Sequence, residues 1–325
     1  MAPLPVVVSP TVRAIYKAYE QNNNPRDGRS LPVGQLAEEC ERSLFYGFRW
    51  VSPHESIPGR TLRIFETGNL EEERWIANLR MIGCEVVDRD EHGRQIMVEA
   101  CKGHVRGYLD TEILGLPEAP KTVHVGEIKS HNLKSFTELK KKKVRLSKPL
   151  HYMQIQTYMY LRGRDRGIYL AACKDNDELY VERLELDLPY VLRMLARAQR
   201  IIDANEPPAK LHEDPTAKMA FRCGWCNHRA ICHEGAKPRR NCRTCLFSAP
   251  EDGGSWSCAK WHKPLSVEEQ GAGCGSHLLL PGLVDGEHGD CDEEAGTVTY
   301  RMRDGSVWVD GAANDNEPDK KENAA

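Results

Sequence analysis

Gly107-Tyr108-Leu109-Asp110, followed after 16 residues by Glu127-Ile128-Lys129, is the stretch on which the reading of this chain turns. Val123-His124-Val125-Gly126-Glu127-Ile128-Lys129 has the composition of a strand. Side chains alternate faces along a strand, so Glu127 and Lys129 share one side while Ile128 points into the opposite layer. An aspartate closing one strand and a Glu-x-Lys in the next bring two carboxylates and an ammonium into one small site. Such a trio suits metal-assisted cleavage of a phosphodiester: the carboxylates hold divalent cations and the lysine stands beside the attacking water. Taken alone, E-x-K reads as an ion pair on an edge strand.

Further groups stand in order around it. Upstream, residues 68–79 (GNLEEERWIANL) predict a helix. Counting from Glu72, Trp75, Ile76 and Leu79 fall at i+3, i+4 and i+7, which puts Glu72 on the apolar stripe. Glu71 and Glu73 flank it as solvated first-turn acids. A carboxylate on a buried stripe is costly unless it is paired or metal-bound. Downstream, residues 151–161 (HYMQIQTYMYL) predict a second helix with Gln154, Tyr158 and Leu161 on one face. Gln156 and Tyr160 repeat the same Q-x3-Y spacing on a neighbouring face, and the sequence does not choose between the pairs.

In this order (G-x3-E on a helix, G-x2-D, E-x-K, Q-x3-Y) the chain resembles the PD-(D/E)XK nuclease superfamily, in its RecB-like exonuclease branch. The resemblance implies an α/β, restriction-endonuclease-like core, a mixed central sheet flanked by helices, and Mg²⁺- or Mn²⁺-dependent cleavage of DNA. It further implies that Asp110 and Glu127 ligate the metal, with the Ile128 carbonyl and Glu72 completing the sphere. Lys129 would orient or deprotonate the water, and Gln154 with Tyr158 would steady the site or the DNA backbone.

The cysteines extend the resemblance. Cys223-Gly224-Trp225-Cys226, then Cys232, supply three thiols from a short segment, and Cys40 is the candidate for a fourth. One cysteine ahead of the catalytic residues and three behind them is similar to the iron–sulfur nucleases, namely the CRISPR-associated four-cysteine exonucleases and the AddAB-type helicase–nuclease subunit. In these a 4Fe–4S cluster pins the N-terminal helix to the end of the domain as a structural element. Thiolates suit structural zinc as well. Cys40 also fits a core stripe with Val33, Leu36 and Leu44.

A second group follows: Cys242-Arg243-Thr244-Cys245, then Cys258, then Cys274 with His277 three residues on. It reads as a zinc-ribbon-like module, too small to fold without a staple. Four thiolates (Cys242, Cys245, Cys258, Cys274) are the first choice, His277 replacing one of them the alternative, with His262 also within reach of Cys258. Cys84, Cys101, Cys173 and Cys291 have no ligand spacing.

The chain has 325 residues, 12 cysteines and a net charge of −3. That many cysteines without a recognisable signal peptide or an apolar run of membrane length point to a cytoplasmic metalloprotein rather than a disulfide scaffold. Net charge is uninformative about nucleic acid, but Lys134, Lys140, Lys141, Lys142, Lys143, Arg145 and Lys148 crowd the segment after the E-x-K strand. Read as a loop beside the site, that segment would meet phosphates. No G-x4-G-K-[ST] occurs, so any unwinding would come from a partner such as a helicase, with a recombinase or single-strand-binding protein as other candidates.

The expected organisation is a nuclease domain over 1–235, a cysteine module over 241–280 that folds separately and is dispensable for hydrolysis, and an acidic tail over 281–325 with a hairpin and a disordered end. Helices are expected at 10–22 and 32–48 and from Pro189, strands near 95–101, 104–110 and 121–129, and hairpins at 167–185 and 297–309. The function expected is a metal-dependent DNA exonuclease acting on ends or single strands, in phage or prophage recombination or DNA repair. A structure-specific endonuclease and a non-catalytic DNA-end-binding protein are the alternatives.

Overall fold

A computed structural model describes residues 9–23, 28–53 and 56–311. The early elements are α1 (Pro10–Asn22), β1 (Leu31–Pro32), α2 (Glu41–Phe48), α3 (Gly59–Met81), β2 (Glu85–Val87), β3 (Ile96–Ala100) and β4 (Val105–Leu109). Next come β5 (Thr111–Leu114), β6 (His124–His131), α4 (Leu133–Ser147), α5 (Pro149–Leu161), β7 (Arg166–Cys173), β8 (Leu179–Glu185) and α6 (Leu188–Asp203). The last are α7 (Arg229–His233), β9 (Ser248–Pro250), β10 (Trp256–Cys258), β11 (Lys263–Leu265), α8 (Val267–Ala272), β12 (Gly286–Asp292), β13 (Thr297–Met302) and β14 (Val307–Asp310). The fold is mixed α/β. No helix among the described residues is long and apolar enough to cross a membrane.

The chain divides into two compact units: Met1–Asp27, His54–Val98 and Gly107–Leu192 form the first, and Gly28–Pro53, Glu99–Arg106 and Arg193–Ala325 the second. The division is not at residue 235, because the segments bearing Cys40 and Cys223 fall with the tail. The chain end expected to be disordered, from Ala313, lies outside the described residues.

The first unit is built on a five-stranded sheet of order β2-β5-β6-β7-β8. All its pairings are antiparallel except β6 with β7. Parallel β6 and β7 need a crossover, which α4 and α5 provide. The strand after Asp110 is β5, too short to be read from sequence, so the E-x-K strand is the second one on. Val125, Glu127, Lys129 and His131 alternate with Ile128, as a period of two requires. Ile128 joins Trp75, Ile76 and Leu79 of α3, Ile113 of β5, and Ile168 and Leu170 of β7 in one core. Gly126 is needed where it stands: a Cβ there would collide with Thr111 of the paired strand. The predicted catalytic helix is much longer than 68–79, because its first turns pack on α1, where the Gly59 amide donates to Glu20 Oε1 at 2.7 Å.

In the second unit the predicted helix over 32–48 is not continuous. Residues 33–35 form one 3₁₀ turn and α2 starts only at Glu41. Arg197 is the reason. Its guanidinium donates to the carbonyls of Leu36 at 2.7 Å and Glu38 at 2.6 Å, and to Glu41 Oε1 at 2.8 Å. Carbonyls held this way do not close helical turns, and Cys40 becomes the N-cap residue of α2 rather than part of a helical stripe. The cysteine-rich segment forms the small antiparallel sheet β11-β10-β9, and the tail forms β12-β13-β14, one strand more than the predicted hairpin.

The cysteine-rich segment is not a free-standing module, contrary to expectation. Arg243, between two of its cysteines, is 1% exposed and donates to the carbonyls of Phe48 at 2.9 Å and Arg29 at 3.0 Å and to Gln270 Oε1 at 2.9 Å. Asn241 Nδ2 donates to the Trp50 carbonyl at 3.0 Å, and the Arg239 amide to the Val51 carbonyl at 2.8 Å. Arg243 also lies over the Trp50 ring, 3.9 Å from its centroid, against the fully buried Trp256.

Candidate active site and cysteine centres

Four of the predicted catalytic side chains meet in the first unit. Asp110 stands at the break between β4 and β5, and its Oδ2 accepts the Ile128 amide at 2.8 Å. Lys129 forms an ion pair with Glu127, lies 3.6 Å from Asp110 Oδ2, and donates to the Ile128 carbonyl at 3.0 Å. Glu127 is completely buried, yet neither of its carboxylate oxygens receives a well-directed hydrogen bond. Glu72 projects from α3 close enough to Asp110 and Lys129 for their charges to act on it.

The electrostatics follow from this crowding. Burial, reinforced by Asp110 and Glu72 and only partly offset by Lys129, pushes the Glu127 carboxyl up to about 8. Burial and Asp110 lift Glu72 to about 7. Burial alone would lower Lys129, but Glu127 and Asp110 outweigh it and raise it. Three acids and one ammonium in a partly buried site lack positive charge. With Glu127 answered by Lys129 alone, the chemistry of the donor set fits a hard divalent cation.

The Q-x3-Y ambiguity has a geometric answer. Tyr158 is 2% exposed, accepts from Gln154 Nε2 at 3.3 Å, and has its phenol pKa raised by burial and then by Glu127. Gln156 is occupied elsewhere: its Nε2 donates to the Glu185 carbonyl at 2.8 Å and its Oε1 accepts the Asp187 amide at 2.7 Å. Tyr160 faces solvent.

A cluster the sequence reading missed adjoins the site. The Tyr169 hydroxyl, on the residue paired with Glu127 across β6 and β7, lies 2.9 Å from His131 Nε2 and 2.8 Å from His151 Nδ1. Burial first, then nearby lysines, lowers His131 to about 4 and His151 to about 3. His131 follows Lys129 by two residues on one strand, and His151 precedes Gln154 by one helical turn. Those spacings were the available signal, but Tyr169 comes from a third element.

The predicted basic loop is a helix, α4, capped by the Asn132 side chain accepting the Ser135 amide at 2.9 Å. Its Phe136 and Leu139 are buried one turn apart and Val144 is buried beyond a break in the helix at Lys143, while Lys134, Lys140, Lys141, Lys142, Lys143 and Arg145 are exposed and Lys148 is half-buried. Lys140 pairs with Glu178, Lys142 with Glu138 at 2.9 Å, and Arg145 with Asp187 at 3.1 Å.

Both cysteine groups lie in the second unit. Cys40, Cys223, Cys226 and Cys232 line one small cavity with Arg42, Tyr46 and His228. Burial and then the neighbouring cysteines raise Cys223, while burial outweighs Arg42 and Lys210 to raise Cys232. Cys242, Cys245, Cys258 and Cys274 line a second cavity of about 410 Å³ with His277. Burial and the other three thiols push Cys242 up to about 11. No three His, Cys, Asp or Glu side chains among the described residues are set to hold a metal ion as they stand. The donor chemistry of both quartets nonetheless fits thiophilic centres. Cys84 and Cys173 are buried, Cys101 is half-buried, and Cys291 is exposed.

No family model matches this sequence, and no curated protein does. Among solved structures, the chain is similar to SSO0001, at 15% identity over 69% of this chain and 96% of that one, with a TM-score of 0.38. It is also similar to LHK-Exo, an alkaline exonuclease from Laribacter hongkongensis, at 13% identity over 58% of this chain and 90% of that one, with a TM-score of 0.36. The structure of LHK-Exo in complex with dAMP gives 15% identity over 58% and 90% of the two chains and a TM-score of 0.39.

Proposed function

We propose that this chain is a divalent-metal-dependent deoxyribonuclease of PD-(D/E)XK type, RecB-like, working as an exonuclease on a restriction-endonuclease-like core. The observation that carries the proposal is the convergence of Asp110, Glu127, Glu72 and Lys129 from one strand break, one strand and one helix, around the fully buried Glu127 carboxyl. A buried charge cluster of this kind stabilises nothing by itself. It suits a site whose missing positive charge arrives with a bound divalent cation.

Asp110, Glu127, the Ile128 carbonyl and Glu72 would hold Mg²⁺ or Mn²⁺. When bound, that ion supplies positive charge at the phosphoryl oxygens and a more acidic water. Lys129, released from Glu127, would keep its proton and stabilise negative charge on the side of the attacking water. Tyr158 and Gln154 would orient the site by hydrogen bonding, and the exposed cations of α4 would meet the DNA backbone. Cys40, Cys223, Cys226 and Cys232 would hold a 4Fe–4S cluster that staples α2 to the segment carrying α7, a structural role.

The test is purified protein with end-labelled linear DNA and Mn²⁺ or Mg²⁺, beside the same DNA circularised. Mononucleotide release from linear DNA alone supports the exonuclease. Cutting of circular DNA would make it an endonuclease, and binding of ends without release would remove the enzymatic reading.

A further inference from the structure

We infer that Cys242, Cys245, Cys258 and Cys274 form a four-thiolate zinc site that braces the second unit through Arg243. Four sulfurs from three separate segments line one cavity. Cys242 feels the other three electrostatically, and Cys245 feels Cys258 and Cys274. The Cys245 sulfur also faces backbone N–H groups of Phe247 and Leu278. Such donors stabilise a thiolate and are the outer-shell partners that a ligating sulfur needs. Soft ligands in a C-x2-C turn and a small hairpin sheet suit zinc. No three of these groups are set to hold a metal as they stand, so binding includes a rearrangement of the side chains.

In this assignment His277 supports the turn and not the metal. Its Nε2 lies 3.2 Å from Thr244 Oγ1, which is itself bonded to the Arg239 carbonyl at 2.9 Å. The imidazole thus buttresses the Cys242–Cys245 turn, although its buried Nδ1 has no partner. Arg243, inside the turn, holds the Phe48 carbonyl at the last residue of α2, and Cys40 stands at the N-cap position at the other end of that helix. Metal at Cys242 and Cys245 therefore fixes the residue that fixes α2, and the two cysteine groups are mechanically joined inside one unit.

The experiment is elemental analysis of the full-length protein for zinc and iron separately, on wild type, Cys274→Ser, Cys258→Ser and His277→Gln. Zinc is expected at one equivalent in wild type and His277→Gln and at trace level in both serine variants. Should the serine variants fail to fold, Co²⁺ exchanged into wild type gives the answer instead: its ligand-field and thiolate bands should report four sulfurs and be unchanged in His277→Gln. Hydrogen exchange across residues 44–51 should rise after zinc is chelated. Wild type without zinc, iron alone at this site, a Co²⁺ spectrum of three sulfurs and one nitrogen, or chelation that leaves residues 44–51 unaffected would each overturn the inference. Metal content is read without any nuclease assay, so the inference stands or falls apart from the proposed activity.

Discussion

Asp110 accepts the backbone N–H of Ile128 at 2.8 Å, so the strand carrying Glu127 and Lys129 itself orients the third charged group. The hydrogen bond needs only an acceptor, whereas metal binding needs the charge. Asp110→Asn should therefore fold and melt as wild type does while divalent-dependent DNA cleavage falls by about 10²-fold or more, the scale of losing a group that stabilises developing charge. Lys129→Ala should lose activity equally, with the Glu127 carboxyl raised still further because the lysine that holds it down is gone. Rates on end-labelled DNA with thermal melts alongside decide it: a folded variant retaining the wild-type rate contradicts the assignment.

The two Q-x3-Y pairs should separate by phenotype. Gln156→Ala removes two part-buried hydrogen bonds, to the Glu185 carbonyl and from the Asp187 amide, a loss of roughly 0.5–1.5 kcal/mol per bond. It should lower the melting temperature far more than it lowers kcat. Tyr158→Phe should do the reverse, and Tyr160→Phe should do neither. Equal kinetic losses in Gln156→Ala and Tyr158→Phe at unchanged stability would contradict the geometry.

These cases show what the sequence could and could not convey. The alternation of Glu127, Ile128 and Lys129 and the stripe of Glu72, Trp75, Ile76 and Leu79 were legible, because periodicity is local and each face meets one layer. Neither β2 nor β5 was, since three or four residues carry no period and exist as strands only through pairing. Helix α4 was hidden by its lysines: only Phe136 and Leu139 show helical spacing under the run of exposed cations, and Val144 falls out of phase because the helix breaks at Lys143. The interruption of 32–48 depends on Arg197, some 160 residues away in the chain, and the burial of Arg243 depends on Phe48, Trp50 and Trp256. An arginine between two cysteines reads as solvated until those partners are known.

For the first cysteine group, anaerobically purified protein should be brown and carry about four irons per chain. Cys223→Ala and Cys40→Ala should each bleach it and lower the melting temperature, because the proposed centre would join α2 to residues far along the chain. Colourless protein with zinc at these four cysteines would mean a different metal on the same ligands.

Acid should loosen the second unit through His104. Its Nε2 lies 2.7 Å from the Glu251 carbonyl, its Nδ1 is buried without a partner, and its ring meets Phe48 and Trp256 edge-on. Burial, only partly offset by the Glu251 carbonyl, holds the imidazole below its ordinary value. Below pH about 6.5 the unfolded chain binds a proton that folded His104 resists, so its contribution is present at neutral pH and lost as pH falls towards the folded pKa. The melting temperature should drop between pH 7 and pH 5, and His104→Gln, uncharged at both, should show a smaller drop. An identical pH profile in the variant would remove His104 as the cause.

Truncation after Gly235 should damage the second unit rather than trim it. It removes Arg243 and Asn241, leaving the carbonyls of Phe48, Arg29 and Trp50 without these donors, and it removes Trp256 from the rings of Phe48 and His104. Each buried carbonyl left unpaired costs about 1–3 kcal/mol, and the aromatic core opens to water. The truncated chain should be poorly soluble, and any soluble fraction should melt earlier and carry less iron than the full-length protein. Arg243→Ala in the full chain isolates the cause: it keeps every cysteine and should still lower the melting temperature. If the truncated protein instead keeps its iron and the full-length melting temperature of this unit, the grip of Arg243 on α2 is dispensable and the cysteine-rich segment is the separate module its sequence suggested.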